Sequence, residues 1–529
     1  MAKEVYVASV GLTKVDLTGK SFASIFDLFA DAYQHALEDS SVRRFDAVQV
    51  GIMDSEEFEN RANIATKVAD RLGLTGVPAV RSETASSTGA AAFHEAFYKI
   101  ASGEFESVLV LGGERMRNVT TDVATAIMSK TVDPEERRFG FTMPALIALI
   151  TQAWFRERKI GGPESAQVLA RLMHRAHALG AKNPLAAFHG RPEPLEAYFD
   201  ETKNLPVATP LRRKDCSPIC DGAAALILTS KPQAVRVAGL GSATETSSVL
   251  DRAVLTALEA TRRAAATAYW RAGVANPREI EGVVCEVHDA FNSLLPIGLV
   301  DLGLFGAGEV IEALVGDPNK PPGDPLANPV TGPRGHTPTN LSGGLKARGH
   351  PVGGTGLFQI CENYLQITDR FPHREAQVHG ARFGISNSIG GPGNNNYVTL
   401  IERADGRRRR EAVVEPRRLF ESRETRLELE RERAVNLSGQ EAELQAVTTI
   451  HVTGGGGEPI HVALLGLDGR RVFAKLDHES DAGAPLEQAL AGQKVKFLVK
   501  DDGDHYFQIP KGRSFDLGGL LQAVRRRGR

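Results

Sequence analysis

Cysteine is scarce in this 529-residue sequence, which has only Cys216, Cys220, Cys285 and Cys361. These four form no C-x-x-C pair and no disulfide framework. Cys216 and Cys220 stand four apart without further ligands close by, a poor start for a zinc site that needs about four donors. No metal is expected, and a reducing cytoplasm suits the thiols best. Long apolar runs are missing as well. TMPALIALI, residues 142–150, falls far short of the ~20 residues needed to cross a bilayer. The opening MAKEVYVASVGLTK has no apolar core of signal-peptide length and reads as a first strand. Neither secretion nor a membrane partner is expected. No sign of charge dominates: 63 Lys and Arg against 65 Asp and Glu leave a formal net charge of -2. That balance gives no global electrostatic reason to expect nucleic acid.

What remains is a soluble-protein composition, 42% hydrophobic and 24% charged, in a chain too long for one ordinary core. The first block alternates short apolar strands (EVYVASV, AVQVGIM, SVLVLGGE) with amphipathic helices (SIFDLFADAYQHALED, AAAFHEAFYKIAS), which predicts a layered α/β core. Residues 118–205 are mostly helical text and read as an inserted subdomain, after which AALILTS returns the chain to the sheet. A second α/β block runs from about 235 to 405. It holds a long helix (VLDRAVLTALEATRRAAATAYWRAG), a strand (EGVVCEVHDAF), a glycine-rich turn, a helix (GGTGLFQICENYLQITDRF) and a last strand (NYVTLIER). Both blocks place a small-residue segment before a helix and a glycine-rich loop after a strand, so a duplicated unit with a site between its halves is expected. The boundaries are 1–234 and 235–405, followed by a charged helical linker at 406–440. From 441 to 529 five short alternating strands predict a small OB-like barrel. That tail lacks the aromatic platform of a single-strand nucleic acid binder, and a packing or interface role suits it better.

Four segments carry candidate chemistry. NLSGGLKARGHPVGGTG, residues 340–356, packs glycines and a His–Pro pair around a turn leading into a helix. Glycine there lets backbone approach a ligand or a neighbouring helix closely, and His350 suits a general base or an oxyanion donor. CEVHDAFN puts His288 and Asp289 where a buried strand surfaces, a common site position in α/β proteins. The plainer alternative is that Asp289 caps the next turn and His288 bonds to it. FGISNSIGGPGNNN, residues 383–396, is a turn able to aim N–H groups at an anion. In TASSTGAAAF, Ser86 stands at the mouth of an Ala-rich helix, where it serves either to attack or, with Ser87 and Thr88, to cap the helix.

Together these motifs resemble the thiolase superfamily, in particular its sterol-carrier-protein-associated and archaeal-type branch, over residues 1–403. N-x-x-G-G-x-x-x-x-G-H-P-x-G-x-x-G matches from Asn340 to Gly356, HDAF at 288–291 looks like that branch's version of the Asn-Glu-Ala-Phe motif, and LGGERM and CDGAAALIL also match. The resemblance implies an α/β/α/β/α duplicated fold that binds acyl-CoA between its halves, partly under the inserted subdomain. It places the attacking cysteine at Ser86, activated by His350. It assigns one oxyanion hole to His288 and His350, and the other to main-chain N–H groups at Ser86 and Gly390. A second cysteine belongs at Ser388 or, in the sterol-carrier branch, at Ala290. Asn340, Gly344, Gly349 and Phe291 are candidates for contact with the substrate. No tightly bound cofactor is implied, coenzyme A entering as part of the substrate. A homodimer through the core and a protein partner for the tail complete the expectations. The tail is similar to the OB part of small accessory subunits that accompany such thiolases, fused here and without their zinc-binding cysteines.

The sequence departs from this pattern at the thiols. Ser86, Ser388 and Ala290 occupy both cysteine positions. A helix N-terminus readily makes a thiolate, whereas a hydroxyl starts far less acidic and depends on an adjacent base. A helix dipole worth ~0.3–1 kcal/mol cannot bridge that gap. Two expectations follow: a thioester enzyme, either an acyltransferase or one that makes or breaks a carbon–carbon bond by enolate chemistry, with Ser86 as acyl acceptor or positioning group; or a silent acyl-CoA-binding or scaffold relative.

Overall fold

The computed structural model describes residues 3–317, 320–405, 410–416, 437–451, 459–467, 469–477, 492–500 and 504–509. Most of the expected 406–440 linker lies outside them.

In the first half, strands β1 (Tyr6–Leu12), β2 (Ala47–Gly51), β3 (Ala79–Ser82) and β4 (Ser107–Arg115) alternate with α1 (Ile25–Glu38), α2 (Ser55–Glu59), α3 (Ile64–Arg71) and α4 (Thr88–Ala101). Strands β1, β2 and β4 are nearly continuous apolar or small text because both of their faces are buried. The insertion then supplies α5 (Thr121–Ser129), α6 (Pro134–Arg138), α7 (Met143–Glu157), α8 (Gly162–Gly180) and a short pair, β5 (Pro206–Ala208) and β6 (Leu211–Arg212). Strand β7 (Asp221–Thr229) completes the half. The second half holds β8 (Val235–Thr244), α9 (Glu259–Ala272), β9 (Val283–Val287), α10 (Leu294–Asp301), α11 (Val310–Val315), α12 (Gly344–Ala347), α13 (Thr355–Ile367), β10 (Phe383–Gly390) and β11 (Asn395–Arg403).

The strand order β3-β2-β4-β7-β1-β8-β11-β10-β9 makes the duplication explicit. β1 is antiparallel to β7, β7 to β4, and β4 parallel to β2. In the same way β8 is antiparallel to β11, β11 to β10, and β10 parallel to β9. The halves join through a short pairing, Tyr6 with Arg236 and Val7 with Val235. Helices α4 and α13 pack on strands of both halves, α1 covers the outer face of the first and α9 that of the second. These are the five expected layers. The sequence predicts one helix over 249–273, but α9 begins only at Glu259. Residues 249–258 are held out of a helix by tertiary hydrogen bonds, Val249 N–H to Glu136 Oε1 (2.6 Å) and Leu258 N–H to Asp301 Oδ2 (2.7 Å).

The tail strands β12 (Glu441–Ile450), β13 (Ile460–Leu467), β14 (Arg470–Leu476), β15 (Lys494–Val499) and β16 (His505–Gln508) run in the order β13-β14-β16-β15-β12. A β12–β13 pairing closes them into a five-stranded barrel, with β14 and β16 parallel. Leu444, Val447, Leu465, Phe497 and Phe507 fill its interior. Its outer face is apolar as well: Ile450, Val462, Leu464 and Phe473 join the core built on α7. Phe473 lies 4.4 Å from Phe141, centroid to centroid, and Ile450 bridges to Ala208 of β5. Among the described residues no helix is long and apolar enough to cross a membrane.

Glycine sets the spacing at the centre. A Cβ on Gly356 would sit 2.6 Å from Ala90 N and 2.8 Å from Ser388 Oγ, and one on Gly89 would sit 2.8 Å from Leu357 N. Only bare backbone allows α4 and α13 to cross this closely. Gly356→Ala is therefore expected to cost about 1–3 kcal/mol in urea unfolding through overpacking. Gly308→Ala, where a Cβ meets nothing within 4 Å, should stay within about 0.5 kcal/mol of the parent. Equal midpoints for the two variants would show that the crossing has slack.

Candidate active site

The crossing brings together the N-terminal ends of two buried helices. At the mouth of α4 the turn Thr84–Ser87 is strained, with Ala85 at φ 54°, a region that a non-glycine residue occupies at a cost. Ser87 and Thr88 brace it. Ser87 Oγ donates to Thr84 O (2.7 Å), while Thr88 Oγ1 donates to Ala85 O (2.6 Å) and accepts from Thr84 N–H (2.9 Å). Ser87 is also the N-cap position, immediately before the helix. Ser86, half-buried just before them, is spared this bracing, and among the described residues no protein group hydrogen-bonds its hydroxyl. Gly390, at the end of β10, is pressed against the same turn. A Cβ there would collide with Thr84 O and come within 2.5 Å of Ser87 Oγ. The two main-chain positions expected to form one oxyanion hole are thus neighbours. Ser388, two residues before, is buried with its hydroxyl unpartnered.

His288 and His350 meet at the other side of the crossing. Their rings are 5.2 Å apart, centroid to centroid, and nearly perpendicular at 86°. His288 follows β9, and its Nδ1 accepts the Ile389 N–H (3.3 Å), which puts the imidazole proton on Nε2. His350 is anchored by its N–H to Cys220 Sγ (3.1 Å), and its Nδ1 lies 2.7 Å from Thr355 Oγ1. That hydroxyl donates to Pro351 O (3.2 Å). It therefore accepts from His350 Nδ1–H, and His350 keeps a free lone pair on Nε2. The two imidazoles hold opposite tautomers, one a donor at Nε2 and one an acceptor. Burial pushes both pKa values down, His350 to about 3 and His288 well below its ordinary value, and the Arg348 cation adds to the effect.

The other candidates shape this pair. Asn340, at φ 45°, spends its amide on Val287, accepting from its N–H (2.7 Å) and donating to its carbonyl (2.8 Å). That clamp fixes the residue before His288. Asp289 accepts from Leu345 N–H (2.6 Å), and a Cβ on Gly344 would collide with its carboxylate. Gly349, at φ 114°, is backed by Val15 with no room for a side chain. Phe291 bridges to Cys216, and Ser217 N–H binds Ala290 O (2.8 Å), so the HDAF segment is stapled to the chain entering β7. Among the described residues no group of three potential metal ligands clusters. An open cleft of about 480 Å³ borders the site, lined by Thr84, Ala85, Gly391 and Asn395 together with Arg81 and Lys130.

Two residues without a sequence-derived role hold the segment around His350. Glu114, in the GGER motif, accepts N–H groups from Met53 (2.8 Å), Asp54 (3.3 Å) and Gly353 (3.1 Å), tying β4 to the GHPVGG turn. Arg348, two residues before His350, is wholly buried, paired with Glu362 (3.0 Å) and stacked over Phe358 (4.6 Å). The available signal was a charged residue inside an otherwise small or apolar motif.

The family model for thiolase N-terminal domains matches residues 5–157, and that for thiolase C-terminal-domain-like regions matches 241–403. The chain belongs to the thiolase family. Among its relatives, the acetyl-CoA acetyltransferase of Methanothermobacter thermautotrophicus is 32% identical over 407 residues, covering 75% of this chain and 99% of that protein. Sterol carrier protein 2 of Gallus gallus is 26% identical over 406 residues, covering 74% and 70%. Two solved structures share the fold. A monomeric SCP2-thiolase-like protein type 1 from Mycobacterium smegmatis has a TM-score of 0.69 at 17% identity, covering 96% of this chain and all of that one. An Ltp2–ChsH2(DUF35) aldolase has a TM-score of 0.60 at 18% identity, covering 77% and 99%.

The depressed histidine pKa values set a direction for acid stability. A histidine whose pKa falls from 6.5 unfolded to about 3 folded stabilises the fold above pH 6.5, and this contribution is lost as the pH drops from there toward 3. The loss should approach ~1.4 kcal/mol per pH unit for each such group. Urea midpoints measured from pH 7 to pH 4.5 should fall less steeply for His350→Gln than for the parent. Parallel curves would place the His350 ring in water.

Proposed function

We propose that the protein is an acyl-CoA enzyme that makes or breaks a carbon–carbon bond next to the thioester carbonyl through an enolate, without an acyl-enzyme. The opposed tautomers of His288 and His350 carry this reading. His350 Nε2 takes the proton, either from the thioester α-carbon or, in a retro-aldol cleavage, from the β-hydroxyl. His288 Nε2–H then stabilises the negative oxygen that develops. Each function is supplied by a neutral imidazole, so neither has to lose or gain a proton before substrate arrives. General bases of this kind contribute ~10²–10⁴ in rate, and a preorganised oxyanion donor ~10²–10³.

Ser86 has another place in this scheme. A hydroxyl nucleophile needs a base within hydrogen-bond reach, and among the described residues neither imidazole bonds the Ser86 hydroxyl: the ring contact of His350 is with Thr355 and that of His288 is with Ile389. Ser86 contributes its main-chain N–H beside Gly390 and a small polar side chain that leaves room for the substrate. The relatives named acetyl-CoA acetyltransferase support the substrate class, and the structural neighbour titled an Ltp2–ChsH2(DUF35) aldolase supports including the retro-aldol alternative.

The test is a panel of acyl-, 3-oxoacyl- and 3-hydroxyacyl-CoA thioesters in deuterated buffer, read by mass spectrometry for α-deuterium, cleavage products and protein adducts. Exchange or cleavage without an adduct is expected. His350→Ala should lose at least about 100-fold, while Ser86→Ala should keep most of the rate. Ser86→Cys should gain a covalent acyl adduct. Saturable binding with no exchange on any member of the panel would instead make the protein a carrier of acyl-CoA, and an adduct lost in Ser86→Ala would restore Ser86 as the nucleophile.

A further inference from the structure

The loop between β8 and α9, residues 245–258, touches the glycine turn that follows Gly390 at several points. Glu245 N–H donates to Asn394 O (2.9 Å), Arg252 Nη2 donates to Pro392 O (2.9 Å), and the Leu258 side chain lies against Gly393. The turn has little stiffness of its own, since Gly391 and Gly393 have φ values of 56° and 99°. Arg252 is buried, with Nε and Nη1 unpartnered. A buried guanidinium is costly where an apolar side chain would pack as well, so a carbonyl held at a set position is what this residue provides.

The loop is itself clamped from two directions, and both lead to the barrel. On one side Glu136 of α6 takes Ser248 Oγ–H (2.9 Å), Val249 N–H (2.6 Å) and Leu250 N–H (3.3 Å). α6 is in turn pinned to the barrel by Arg138 with Asp504 (2.8 Å), and by Phe139 against His505 (5.4 Å). On the other side Arg471 of β14 donates to the carbonyls of Arg252 and Ala253, and its Nε is fixed by Gln445 Oε1 (3.1 Å).

We infer that the fused barrel is a permanent brace of the oxyanion turn, acting through Arg471 and Arg252 as positioning residues that set where the Gly390 main chain lies against Ser86. The catalytic consequence rests on the function proposed above; the bracing itself does not. The test is amide hydrogen exchange on the full chain, following residues 386–396, with the β4 segment 107–115 as the internal control. Arg471→Ala, whose side chain is only half-buried, should speed exchange at 389–395 by about tenfold while 107–115 is unchanged. Arg252→Ala should do the same, and Arg471→Lys should recover part of the protection. In turnover, Arg471→Ala should lower kcat with little change in KM. Unchanged exchange at 389–395, or an equal rise at 107–115, would overturn the brace. Faster exchange at 389–395 in a protein that turns over no thioester would keep the brace and remove the proposed reaction.

Discussion

The close crossing of α4 and α13 is the constraint on which the site depends. Gly89 faces Gly353, Gly354 and Leu357, and Gly356 faces Ala90 and Ser388, so the two helices touch backbone to backbone. Because each belongs to a different half of a duplicated fold, their contact aligns the halves. Because the contact falls near both N-terminal ends, it also brings the Ser86 turn, the GHP turn and the end of β10 within a few residues of one another. Small side chains here are a requirement of geometry before they are a requirement of chemistry.

Geometry of that kind lets the site be dry and still polar. His288, Asp289, Asn340, Arg348 and His350 are all nearly inaccessible, and each is held by a named partner. In such surroundings a charged imidazole is expensive and a neutral one with a fixed tautomer is not. Arg348 reinforces the preference, since a buried cation close to both rings opposes a second positive charge. Its own charge is balanced by Glu362 rather than by the histidines. The arrangement suits chemistry in which charge develops on the substrate and is met by dipoles already in place.

Much of this could be read in advance, and the reasons are local. Glycine at the crossing, the strand–helix alternation and the His–Pro turn are written in contiguous residues whose types leave few alternatives. The five barrel strands were legible for the same reason. The 249–258 segment was not, because its composition favours a helix and only distant groups, Glu136, Asp301 and the Pro392 carbonyl, decide otherwise. The role of Asn340 was hidden too: an amide in a glycine-rich motif suggests a ligand, but its partner is the backbone of Val287, 53 residues away. At the opening of α4 the ambiguity between attack and capping was genuine in the sequence, since three hydroxylated residues stand in a row. The structure divides the labour, with Ser87 and Thr88 bracing the turn and Ser86 left out.

The barrel shows how a familiar module changes meaning when it is fused. In OB-like barrels the outer surface of the second and third strands is a common binding face. Here those strands are β13 and β14, and their outward residues Val462, Leu464 and Phe473 are buried against α7 and Phe141. The surface that would meet a ligand is occupied by the protein's own core. A docked apolar face fixes the barrel in place, and the arginine beside it reaches past that interface to the loop under the Gly390 turn. A separate subunit could dissociate and leave that turn unsupported. Covalent fusion keeps the local concentration of the support high without requiring a larger interface, which is the simplest physical reason for one chain to carry both parts.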